Sequence, residues 1–204
     1  MGLIISLSGV NGVGKTTQVE TIVSELKKRN KKIIVTRIMF QYFFLNPIIQ
    51  FLKPASSNST GKITHRNTRM LPKLWFVCAF LDIWLGYLIK VLPMLKKYDY
   101  VVADRNYADM WVSLLYYGFL PNWAFIPSLK LLPRASVSIL FLADPAVIEK
   151  RESGFSHNYY KEQTRIYQLL KEIPNTILID ANLHKKDVTR KIIRILDKID
   201  HNTK

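Results

Sequence analysis

The stretch SLSGVNGVGKTTQVE, residues 6–20, follows the apolar run GLIIS and leads into a helix-like segment. Gly9, four residues, then Gly14-Lys15-Thr16 satisfies the phosphate-loop spacing G-x-x-x-x-G-K-[ST] without a mismatch, in the strand-to-helix setting that the motif requires. Glycines at 9, 12 and 14 let backbone N–H groups turn inward around an anion, and the following helix adds the positive end of its dipole. Lys15 is expected to reach the β- and γ-phosphates of a nucleoside triphosphate, and the Thr16 hydroxyl to hold Mg²⁺.

A chain of 204 residues, 49% hydrophobic and 12% aromatic, suits one α/β domain with a sizeable core and excludes a disordered chain. Cys78 is the one cysteine, which excludes a disulfide framework or a cysteine metal cluster and fits a reducing cytoplasm; it reads as a small core residue. The net charge of +15 is uneven: residues 1–100 hold 15 Lys/Arg against 4 Asp/Glu, the remainder 15 against 11. Such a balance suits polyanionic partners, nucleotides first. The run KKRNKK (27–32) reads as a solvated edge at a helix C-terminus. No basic segment precedes a cleavable apolar stretch, so secretion is not expected. MGLIIS fits a myristoylation pattern, but the same residues are needed as the strand feeding the phosphate loop. Residues 74–95 are apolar enough to raise a membrane span, yet Asp82 and Lys90 would then lie in hydrocarbon. A long core helix with Asp82 facing a site is the simpler reading.

Apolar, β-branched runs at 3–8, 32–36, 100–103, 136–142 and 176–179 predict five buried strands of a parallel sheet. The intervening segments predict helices at about 15–29, 70–97, 107–118, 145–151, 158–172 and 186–199, on both faces of the sheet. IMFQYFFLNPIIQFLKP (38–54), broken by Asn46-Pro47, predicts short helical pieces covering the sheet or a partner chain. The polar, basic stretch 55–69 reads as a loop whose His65, Arg66 and Arg69 close over a phosphate or stay solvated. No internal repeat is visible.

A phosphate-loop site needs a carboxylate at the end of a neighbouring strand to organise Mg²⁺ or its water shell. YDYVVADRNYADM supplies Asp104 after the apolar run 101–103, with Arg105 beside it as a bidentate phosphate donor.

GVNGVGKTTQ, VVADRNY, LADPAVIEKR and ILIDANLHKKDV occur in the order and at about the spacing seen in thymidylate kinases, a branch of the nucleoside monophosphate kinases, and the resemblance spans nearly the whole chain. It implies a three-layer phosphate-loop fold, ATP as donor and Mg²⁺ as cofactor. Gly9, Asn11, Gly12, Val13, Gly14, Lys15, Thr16 and Thr17 are then the ATP contacts, with Ala181 and Asn182 bordering the adenine. Lys15, Asp104, Arg105 and Arg151 are the expected catalytic residues, Thr16 and Asp104 the expected metal ligands, and residues 152–165 a short lid. Asn11, Arg37, Asp82, Arg105, Tyr107 and Asp109 are expected around the acceptor.

Departures from the family pattern fall on the acceptor half. After the second strand the family carries Arg then Glu-Pro-Gly-Gly, whereas here Arg37 is followed by Ile38-Met39-Phe40. Asn11 stands where an Asp is usual, Asp82 and Ile83 where a thymine-reading Arg is expected, and Asn106-Tyr107-Ala108-Asp109 replaces a Ser-rich stretch. The expected reaction is phosphoryl transfer to a nucleoside monophosphate, dTMP by default. A sugar or lipid-linked acceptor on the same scaffold, and a nucleotide-dependent binding protein, are the alternatives. Homodimerisation through helix 70–97 is expected, nucleic acid is not, and peripheral membrane contact is the less favoured reading.

Overall fold

All five expected apolar runs form strands, each within one residue of its expected ends. The computed structural model describes residues 1–39, 71–152 and 154–202. The strands are β1 (Leu3–Gly9), β2 (Ile33–Thr36), β3 (Tyr100–Asp104), β4 (Val137–Leu142) and β5 (Thr176–Asp180). All pairings are parallel, in the order β2-β3-β1-β4-β5. Successive residues of β1 and β3 are buried rather than alternate ones, as in a sheet covered on both faces. The chain leaves β1 toward β2 and β3 toward β4, on opposite sides, so a crevice opens beyond the carboxyl ends of β1 and β3. Both sequence motifs lie there: the phosphate loop follows Gly9, and Asp104-Arg105 ends β3.

The described helices are α1 (Lys15–Lys28), α2 (Leu71–Gly86), α3 (Leu92–Lys97), α4 (Tyr107–Tyr116), α5 (Asn122–Lys130), α6 (Pro145–Arg151), α7 (His157–Gln168) and α8 (Lys185–Asn202). α1 buries Gln18, Val19, Ile22 and Leu26, one stripe at helical spacing. Past its end, Arg29 bonds Glu25, Asp197 and Asp200, clamping α8 beside α1 far from the phosphate loop.

Three expectations are corrected. The helix expected over 70–97 is interrupted at Tyr87–Val91 by a π-helical turn, a wider winding that re-aims the side chains beyond it. The helix expected to reach 118 stops at Tyr116, and the expected helix 158–172 becomes α7 plus a 3₁₀ turn, Leu169–Glu172. α5 was not among the expected helices; Pro121 precedes it, Pro127 lies inside it, and Ser128 anchors it by accepting from Trp111 Nε1 at 2.7 Å. Within the expected lid, α7 buries Tyr160, Gln163 and Thr164, and it goes on to bury Ile166 and Tyr167.

Along α2, apolar side chains lie on both the buried and the exposed side. Ala79, Asp82 and Ile83 are buried, and Phe76 and Phe80 pack on Trp111 with ring centroids 5.7 and 6.2 Å away. Val77, Leu81, Trp84, Leu88 and Ile89 form an exposed stripe on the other side. By length and composition Phe76–Lys97 is also a candidate membrane span. Arg37, Ile38 and Met39 follow β2, the latter two buried; the rest of 38–54 and all of 55–69, with His65, Arg66 and Arg69, lie outside the described residues.

Candidate active site

A cleft of about 290 Å³ opens at the carboxyl ends of β1 and β3. Asn11, Gly12, Gly14, Lys15, Thr16 and Thr17 line one wall, and Arg37, Asp104, Arg105 and Glu152 the other. Gly9 turns the chain at φ +145°, where an added Cβ would meet the Phe141 carbonyl oxygen at 2.6 Å, so a side chain there would push the loop off β4. Gly12, at φ +80°, faces Glu152: a Cβ would lie 3.0 Å from that residue's Cβ and 3.1 Å from its Oε2. α1 begins after Gly14 without a side-chain cap, leaving its first N–H groups available to an anion. Val13 is buried behind the loop.

Lys15 is 6% exposed, and its ammonium donates to the Gly9 and Val10 carbonyls at 2.9 and 2.7 Å. Burial lowers its pKa to about 7; Arg105 pushes the same way, while Asp109, Asp104 and Glu152 oppose. At pH 8 the nucleotide-free site therefore holds mostly neutral lysine. A bound triphosphate favours the ammonium, so binding takes up a proton and affinity falls as pH rises from about 7 to 9. Calorimetry at pH 8 in buffers of differing ionisation enthalpy is expected to show this uptake, and Lys15→Met to abolish it.

Asp104 ends β3 with Oδ2 at 3.5 Å from an Arg37 Nη, while its Oδ1 is buried without a hydrogen-bond partner. An unsatisfied buried carboxylate oxygen facing a phosphate cleft fits a cation or its water shell. Among the described residues no group of three or more His, Cys, Asp or Glu is arranged to hold a metal by itself. Substrate phosphates, with Thr16 and Asp104, would then complete the sphere, as Mg²⁺ usually requires.

Arg105 takes a left-handed backbone, φ +75°, uncommon for a side chain of this size. Its guanidinium donates to Asn11 Oδ1 and Tyr167 Oη, the latter at 3.1 Å, and lies 3.5 Å from Asp109 Oδ1.

Asp109, Tyr107, Asp82 and Arg151 are not among the described residues that line the cleft. Asp109 is fully buried under the phosphate loop rather than open to an acceptor. Its carboxylate accepts from Ser8 Oγ at 2.7 Å, Gly9 N at 3.4 Å, Asn106 N at 2.9 Å and Tyr167 Oη at 2.8 Å. With Asn106 it forms the capping box of α4, which is why an acid stands there. Tyr107, beside it in the first turn, is buried, and burial raises its pKa. Asp82 is buried within α2 and does not line the cleft; its alternative partner Arg69 lies outside the described residues. Arg151 turns away from the phosphate cleft to donate to the Ala181 carbonyl at 2.9 Å, joining α6 to the loop after β5. In that loop Asn182 Oδ1 accepts from Asp144 N at 2.9 Å.

Sequence reasoning missed Glu152 and Tyr167. Glu152, directly after Arg151 in sequence, lines the cleft. Tyr167 lies 62 residues from Arg105, and only the buried-face spacing of 160, 163, 164 and 167 points to it. A carboxylate beside Gly12 repels phosphate. Glu152→Gln is accordingly expected to tighten ATP several-fold, most clearly at low salt, as measured by calorimetry.

The order of the strands, the phosphate loop after β1 and the acid at the end of β3 define a phosphate-loop kinase fold. No protein-family model matches the chain. It is 26% identical over 212 residues, 97% of this chain and 98% of the relative, to a thymidylate kinase of Vesicomyosocius okutanii subsp. Calyptogena okutanii (strain HA). This end-to-end likeness supports a divergent member of the thymidylate kinase-like family.

Proposed function

We propose that the protein is an ATP- and Mg²⁺-dependent phosphotransferase acting on a nucleoside monophosphate, with dTMP the default acceptor. The observation that carries this reading is the convergence of Lys15, Arg37 and Arg105 with Asp104 on one cleft beside the open N-terminus of α1. Two phosphate groups repel each other, and three cations on one cleft offset that repulsion while aligning donor and acceptor. The P–O bond to the leaving ADP breaks as an acceptor phosphate oxygen bonds to the transferred phosphorus. Lys15 leaves the Gly9 and Val10 carbonyls for the β- and γ-phosphates, Arg105 holds the acceptor phosphate, and Arg37, beside Asp104, adds its charge on the acceptor side. Mg²⁺, held by Thr16 and Asp104, would neutralise charge on the donor phosphates. Arg151 acts from the base side, through Ala181, with Asn182 beside it.

A second reading, a kinase of the same scaffold acting on another small acceptor such as a sugar or lipid-linked metabolite, is favoured by the buried Ile38 and Met39 where the family has Glu-Pro-Gly-Gly. The third, a nucleotide-dependent binding protein with little transferase activity, has the cleft's cations against it. A coupled ADP-release screen across nucleoside monophosphates and sugars separates the three. Release with dTMP or another nucleoside monophosphate supports the first, release with sugars alone the second, and ATP binding without release the third. We further infer a cytoplasmic protein that pairs through the exposed stripe of α2. Sedimentation is expected to give a dimer that Leu81→Glu splits.

A further inference from the structure

Tyr167 is 2% exposed, on the buried face of α7, and its hydroxyl does two things at once. It donates to Asp109 Oδ1 at 2.8 Å and accepts from Arg105 Nη1 at 3.1 Å. Asp109 in turn takes the Ser8 hydroxyl and lies 3.4 Å from Gly9 N, at the root of the phosphate loop. Arg105 cannot rest on its own backbone preference, because φ +75° is disfavoured for a long side chain and persists only when surroundings impose it. Contacts at three points of the residue impose it: Arg105 N donates to Leu7 O and its carbonyl accepts from Ile38 N, while the guanidinium is fixed by Asn11, Asp109 and Tyr167.

We propose that Tyr167 is a positioning residue: through its hydroxyl, α7 fixes the Arg105 guanidinium and, by way of Asp109, the root of the phosphate loop. Its kinetic consequence rests on the phosphotransferase reading; its geometric consequence does not. Burial pushes the Tyr167 hydroxyl well above its ordinary pKa, so it stays a donor across the working pH range.

The test is Tyr167→Phe in the full chain, with Tyr100→Phe as control, a hydroxyl deletion at the opposite end of β3 where Tyr100 bonds Asp200. The deciding readout is the low-temperature ¹⁵N spectrum of the Arg105 guanidinium in nucleotide-free protein, assigned by loss of its signals in Arg105→Lys. Wild type and Tyr100→Phe are expected to show separate, slowly exchanging Nη signals, and Tyr167→Phe a collapsed one. An unchanged spectrum in Tyr167→Phe, or the same collapse in Tyr100→Phe, overturns the proposal. If Tyr167→Phe does not fold, 3-fluorotyrosine at 167 keeps ring and hydroxyl and must still shift the Arg105 signals; no shift overturns it. With dTMP or whichever monophosphate the wild type phosphorylates, Tyr167→Phe is expected to lose tenfold or more in acceptor kcat/KM, with the KM for ATP within twofold. Equal losses for both substrates would make Tyr167 merely structural. A wild type that transfers to no acceptor removes the function reading, and the spectrum still decides the positioning role.

Discussion

Lys15→Met is expected to slow phosphoryl transfer by roughly two to three orders of magnitude, the loss that follows removal of one preorganised donor to developing charge. The fold should survive, because methionine fills a similar volume and Lys15 is held by two carbonyls rather than by a structural ion pair. Removing the ammonium should even stabilise the nucleotide-free protein. A lysine lowered to about 7 in the folded chain is still protonated at higher pH in the unfolded one, whose ordinary value is 10.5. Below pH 7 both states carry the proton, and the folded state bears the full cost of burying it; between pH 7 and about 10 that cost fades and stability rises with pH. The stability advantage of Lys15→Met is therefore expected to be largest at or below pH 7 and to vanish near pH 10, as checked by denaturant titration across that range. Unchanged transfer in this variant would contradict the role given to Lys15.

Asp104→Asn is expected to cost a similar factor in turnover and to leave ATP affinity nearly indifferent to Mg²⁺. The carboxylate has one buried oxygen without a partner and one near Arg37, so the neutral amide removes the negative charge from the cleft and aims a donor where a hard cation is expected. Calorimetry with and without EDTA checks this: wild type should bind ATP much more weakly under EDTA, the variant about equally in both. Metal-independent affinity in the wild type would sink the assignment of Thr16 and Asp104.

The donor half was legible because its chemistry is local. A phosphate loop is made by neighbours in sequence, Gly9 to Thr17, and its partner Asp104 stands at the end of an apolar run whose strand character is plain. The same holds for the sheet, since near-continuous β-branched runs signal strands covered on both faces. The acceptor half was less legible because it depends on side chains distant in sequence. Asp109 reads as a pocket carboxylate along the chain, and only the return of Asn106 N, Ser8 and Tyr167 to it reveals a buried cap. Arg151 reads as a lid arginine until the loop after β5 supplies the Ala181 carbonyl. α5 carries Pro127 inside it, which weakens its local helix signal, and the burial of Ala124, Phe125, Ser128 and Leu129 holds it in place.

The most direct measurement follows the label of [γ-³²P]ATP incubated with the protein, Mg²⁺ and dTMP, alongside the other nucleoside monophosphates singly. Label is expected to leave ATP and appear in the β position of a nucleoside diphosphate, and to do so roughly two to three orders of magnitude more slowly with Lys15→Met or Asp104→Asn. Label that stays in ATP, or that appears only as inorganic phosphate with every acceptor, would contradict it.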